Sequence, residues 1–170
     1  MQRAADLGLS ALALTDIGGV YGVPKAFLVS KETPQTKLIC GAEIPLEDHP
    51  SLTLLARNRA AYGLLCRMLT EAHRDRPKAQ PLLSKVKLVS FLQEKVSQDL
   101  VAISQDAENT DYSLLKEVFA DRIFTPAFRF FDGRDEARTK RALEIREKFE
   151  IKIIASNDVH YHVAERARLP

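Results

Sequence analysis

The chain has 170 residues, with 25 Lys+Arg against 23 Asp+Glu, for a net charge of +2; 45% of residues are hydrophobic and 28% charged. That balance excludes a disordered chain, and no apolar stretch is long enough to span a bilayer. Two cysteines, Cys40 and Cys66, are too few for a disulfide framework and match no zinc spacing, so they read as buried thiols of a reducing, cytoplasmic compartment.

In chain order, Met1–Gly8 reads as the second half of an amphipathic helix. Ala11–Ile17 is a short apolar run closed by a polar pair and Gly18-Gly19, and Lys37–Leu46 repeats the pattern with Gly41 and an acid, Glu43. Leu52–Asn58 is a third run. Arg59–Arg74 then sets Tyr62, Leu65, Cys66, Leu69 and His73 on one helical face, with Asn58 as its N-cap and Cys66 read as core. Arg76–Leu83, with Pro77 and Pro81, is a surface loop. Asp99–Ser104 is a strand, Asp111–Ala120 a helix, Arg122–Phe128 a strand, Asp135–Glu150 a helix and Ile151–Val159 the last strand. Glu165–Leu169 reads as a helix just begun, so both ends look cut from something longer.

Apolar runs of this length suit strands buried on both faces, and their alternation with helices predicts a parallel sheet and a barrel-like α/β fold. In such folds chemistry collects at the C-terminal ends of strands. Those ends carry Asp16, Glu43, Asp106 and the run Asn157-Asp158-Val159-His160-Tyr161-His162. Converging carboxylates and imidazoles suit divalent metals that handle phosphate oxygens, and Asp158 and His160, two apart, share one face of an extended strand. Each has a plainer reading. Asp16 and Asp106 also suit loop starts or caps, His73 suits a helix C-terminus, and His49, beside Asp48 and Pro50, suits a solvated turn. The arginines and lysines of 134–148 are interleaved with Asp135, Glu136, Glu144 and Glu147, as on a solvated helix face. Lys85, Lys87 and the Arg74–Arg76 turn make a weaker basic region, and no DNA-binding patch is assigned.

Together these residues carry a family resemblance. LTDIGGVYGVPKAF resembles the LTDH-G-x-x-x-G segment of the PHP (polymerase and histidinol phosphatase) domain of bacterial replicative DNA polymerase alpha subunits. GAEI resembles its second acidic segment, LTLLARNRAAYGLLCRMLTEAH its most recognisable stretch, and SNDVHYHVAERARL its closing motif. LKEVFADRIF paired with the closing motif leans towards the error-prone branch.

The resemblance implies a distorted, seven-stranded TIM-like β/α barrel spanning 1–170, here without its first strand and the His-x-His that strand carries. It implies up to three divalent metal ions, zinc or manganese, and phosphoester hydrolysis in active members, some of them proofreading 3′–5′ exonucleases. Others serve as structural platforms. Carried over residue by residue, the ligands fall on Glu43, His73, Asp106 (a departure from Cys or His), Asp158 and His160, while the histidine of LTDH falls on Ile17, which binds no metal. The expected role is therefore structural, with an incomplete metal site and no catalytic residue, within an alpha-type, error-prone polymerase that replicates or repairs DNA and touches it through the remainder of its chain. This fragment alone is not expected to polymerise or hydrolyse. The alternative is a free-standing metal-dependent phosphoesterase or exonuclease of the same fold. The missing strand would leave sheet edges unpaired, to be met by closing the sheet differently, by a strand borrowed in a homodimer, or by opening to solvent.

Overall fold

The computed structural model describes residues 1–156, 159–161 and 163. A short helix α1 (Gln2–Asp6) leads into strand β1 (Ala11–Leu14), helix α2 (Val23–Ser30), strands β2 (Lys37–Leu46) and β3 (His49–Ala56), and helices α3 (Arg59–His73) and α4 (Lys85–Leu92). Strand β4 (Leu100–Ser104), helix α5 (Tyr112–Phe119), strand β5 (Ile123–Phe128), helix α6 (Asp135–Phe149) and strand β6 (Lys152–Ser156) follow. The six strands form one sheet in the order β1-β2-β3-β4-β5-β6. This is the expected mixed α/β architecture, a partial barrel with helices packed against it. No described helix is long and apolar enough to cross a membrane.

The sheet is not wholly parallel, as the alternation had suggested. β1–β2, β4–β5 and β5–β6 pair parallel, but β2–β3 and β3–β4 pair antiparallel. The cause is a hairpin: Leu46 pairs with His49 across a two-residue turn in which Asp48 takes φ 54°. Asp tolerates that left-handed conformation better than most side chains, which lets so short a turn reverse the chain. β3 therefore begins at His49 rather than Leu52. Pro50 weakens the strand signal there, because it supplies no ladder donor. Other boundaries are trimmed: β1 stops at Leu14 rather than Ile17, and β6 runs from Lys152 to Ser156 rather than Ile151 to Val159. Residues 157–158 and 165–169 of the predicted closing segments lie outside the described residues.

Nor are the strands buried on both faces. Ala42, Ile44, Leu52, Leu54, Leu100 and Ala102 pack one face against Leu64, Leu65 and Met68 of α3, Leu88 of α4 and Leu115 and Phe119 of α5. The other face is concave and only half-covered, and all four residues of β1 are half-buried. At about 25 cal/mol per Å² of apolar area, the helix-covered face carries most of the packing energy. The thiols also depart from expectation. Cys40 and Cys66 are half-buried rather than core, and lie beside Tyr62, which hydrogen-bonds with Cys66; burial raises the Cys40 thiol pKa and Cys66 raises it further.

Candidate functional site

After β1, the Asp16 carboxylate accepts a hydrogen bond from the Gly22 N–H at 2.6 Å, which folds residues 16–22 into the turn that starts α2. Asp16 is thus a loop-organising acid, its plainer reading. Within the turn Gly18 has φ +64°, and a Cβ there would stand 2.2 Å from Pro81 Cγ, so only glycine fits. Gly18 N–H donates to the Glu43 carbonyl at 2.8 Å, and Glu43 N–H donates to the Asp16 carbonyl at 3.1 Å. From the last turn of α3, His73 Nε2 lies 2.8 Å from the Gly18 carbonyl oxygen. A carbonyl can only accept, so His73 carries its proton on Nε2 and clamps the turn. Ile17, where the resemblance expects a histidine, is 60% exposed.

Glu43 lies opposite Thr53 in the β2–β3 register, and Thr53 opposite Ile103 in β4, so all three belong to the concave face. The Gln105 side-chain amide donates to the Thr53 hydroxyl across that face. Thr53, Leu55, Ile103 and Gln105 line a hollow of about 510 Å³ together with Leu12–Thr15, Phe128, Ser156 and His160. His160 packs with Tyr161, ring centroids 6.4 Å apart.

Asp106 sits one residue beyond Gln105 and turns into its own loop. Its carboxylate accepts from the backbone N–H groups of Glu108 at 2.8 Å and Asn109 at 3.2 Å, and from Asn109 Nδ2 at 2.6 Å. Burial opposes ionisation of this carboxyl, but those hydrogen bonds outweigh it and hold its pKa below the ordinary value.

Glu43 thus has the register of the concave face, His160 lines the hollow there, His73 stands at the Gly18 turn, and Asp106 lines a neighbouring hollow. Asp158 lies outside the described residues. Among the described residues no three His, Cys, Asp or Glu side chains gather closely enough to hold a metal ion.

Sequence reasoning missed two features here. His49 is not a solvated turn residue: it opens β3, its Nε2 accepts the Asp111 N–H at 3.1 Å, and it holds the start of α5. Nothing in the local sequence signals a contact reaching 62 residues along the chain. The second is the turn between β5 and α6, where phenylalanines and arginines alternate; that signal was present in the sequence itself.

Comparison with known proteins agrees with this architecture. In solved structures, PsfC from Pseudomonas syringae superposes with TM-score 0.57 at 14% identity, over 95% of this chain and 66% of that one, a likeness of fold alone. An error-prone DNA polymerase of Methylococcus capsulatus is 35% identical over 168 residues, and one of Pseudomonas paraeruginosa is 31% identical over 167. Each alignment covers 98% of this chain but only 16% of the polymerase. Residues 1–154 match the PHP domain family. The chain belongs to the PHP domain family and is homologous to the PHP region of error-prone DNA polymerases.

Proposed function

We propose that this chain serves as the PHP domain of an error-prone, alpha-type DNA polymerase in the cytoplasm, and that its role there is structural rather than hydrolytic. The observation that carries this reading is Ile17, an exposed side chain with no donor atom at the turn where the resemblance expects a metal-binding histidine. His73 donates its Nε2–H to the Gly18 carbonyl, which takes that nitrogen out of metal binding and leaves Nδ1 as its one lone pair. The neighbouring groups fit a multi-metal centre poorly in the same way. Ile17 offers no lone pair, and Asp106 is saturated by N–H donors of its own loop. His73 and Asp106 also fasten their loops. Of the ligands the resemblance implies, Glu43, His73 through Nδ1, Asp158 and His160 would have to hold any zinc or manganese ion, without the further imidazoles that help to bridge a pair of metals and activate water for in-line displacement. The relatives' greater length supports a role inside a larger polymerase, whose other domains would supply nucleotidyl transfer and the main hold on DNA.

The test is incubation of the purified chain with a 3′-labelled oligonucleotide and added zinc or manganese. Release of the terminal nucleotide is expected to stay at the no-protein rate. Release at a useful rate, abolished by Asp158→Ala, would overturn the reading in favour of a metal-dependent exonuclease.

A further inference from the structure

The turn from β5 to α6, Phe128 to Arg134, holds aromatic rings in water on a fixed frame. The Asp135 carboxylate accepts from the N–H groups of Phe130 at 2.8 Å and Phe131 at 2.9 Å. Asp132 accepts the Arg134 N–H at 3.0 Å and pairs with Arg138 at 2.6 Å. Phe131 is held at φ 57°, a conformation a bulky side chain seldom adopts, and Gly133 follows at φ 81°. The Phe128 and Phe130 rings stack, centroids 5.2 Å apart and planes 16° apart. Phe130 remains 43% exposed and Phe131 80%. The Arg129 guanidinium lies 5.2 Å from the Phe131 ring centre and that of Arg138 4.9 Å from Phe130.

Charge is distributed unevenly around these rings. Arg138 is neutralised by Asp132 and Asp135, and Arg141 is paired with Glu144 at 3.3 Å. Arg129 and Arg134 have no carboxylate within ion-pairing distance among the described residues. Beside the turn opens a hollow of about 440 Å³, lined by Phe128, Arg134 and Arg141 and also by Asp106 and Glu108. Asp106 is already satisfied by its own loop.

We propose that the Phe128–Arg134 turn is a docking platform for single-stranded DNA, on which an unpaired base stacks against Phe131 while Arg129 and Arg134 meet the phosphates. Exposed ring faces suit bases whose own faces are free, which a duplex does not offer, and unpaired guanidinium groups complement a phosphodiester backbone. Flat rings on a frame ordered beforehand lose little freedom on binding. The choice of DNA over RNA rests on the polymerase reading; the stacking and charge arguments stand without it.

The experiment is fluorescence anisotropy with a labelled thymidylate strand of about 12 nucleotides, within the span such sites cover. Phe131→Ala is expected to weaken binding about tenfold, as for loss of one stacked base. Phe131→Leu, which keeps apolar bulk without the ring, is expected to weaken it comparably and so separates stacking from folding. Arg129→Gln and Arg134→Gln are each expected to lower the slope of log affinity against log salt by about 0.7, while Lys25→Gln on α2 leaves it unchanged. Undiminished binding by both Phe131 variants, equal binding of duplex, or tighter binding of RNA would overturn the proposal. Gel analysis of the same strand keeps the two readings apart: degradation would defeat the non-hydrolytic role and leave the platform standing, and loss of binding without degradation would do the reverse.

Discussion

Several side chains here do local work that can be isolated one at a time. Asn58 accepts the Ala61 N–H at 2.9 Å and its amide reaches Asp99 at 2.8 Å, so it caps α3 and ties it to the start of β4. Asn58→Ala is expected to cost about 1–2 kcal/mol in urea denaturation, the upper part of the range for a lost N-cap. Asp132 makes a pH prediction. The Arg138 guanidinium beside it and the Arg134 N–H hold its carboxyl pKa well below the ordinary aspartate value. A folded pKa below the unfolded one means the contribution is present above the unfolded pKa, about 3.9, and is lost as pH falls towards the folded one. Carbon NMR of the Asp132 carboxyl should therefore show no titration at pH 4, and protonation only in stronger acid. At this scale the sequence was legible where the partner is close in the chain, as for Asn58, and illegible where it is remote, as for His49 or the His73–Gly18 clamp.

Elements here are joined by a few buried polar links set into an apolar layer. Tyr112 opens α5, and its hydroxyl lies 2.5 Å from Ser104 Oγ on β4 and 3.0 Å from Thr125 Oγ1 on β5, with all three side chains buried. Tyr112→Phe leaves two buried hydroxyls short of a partner, and about 1–3 kcal/mol of stability should go with them, measurable in the same denaturation series. Met68, wholly buried on α3, belongs to the main core, and Met68→Ala should cost about 2–5 kcal/mol. α3 could be read from spacing because it carries a clear apolar stripe over 15 residues, and α6 from a long charged run with Ala142, Ile145 and Phe149 on one side. α2 and α4 escaped because they are eight residues each: α2 carries a proline in its first turn, and three of the eight residues of α4 are valine or phenylalanine. The β2–β3 reversal escaped because its turn, Glu47-Asp48, contains no glycine.

For the molecule as a whole, the unmatched boundary of the sheet matters most. Among the described strands of the single chain, β1 pairs only with β2, and β6 only with β5. Backbone groups on an open edge meet water, and protection should fall from the centre of the sheet outward. Hydrogen exchange is expected to be fastest in Ala11–Leu14 and Lys152–Ser156 and slowest in Leu52–Leu54 and Leu100–Ala102. Equal protection of β1 and β3 would mean that the β1 edge is covered in solution, as by a strand borrowed from a second copy. The barrel-like α/β architecture was legible from short apolar runs alternating with helices, but which strands run antiparallel was not, because direction is set by connections rather than by the strands themselves.

The strand order has a further consequence, in time rather than in space. Every described strand after β1 lies beside the one that left the ribosome just before it, so none of these five must wait for a first partner still to be made. The β2–β3 hairpin can form as soon as it is clear of the exit tunnel, α3 can cover it at once, and β4, β5 and β6 then add in the sequence of their synthesis. Loop-closure entropy is met in small instalments. The growing edge is always the newest strand, so the surface most prone to mispairing is the one about to be covered by the chain that follows.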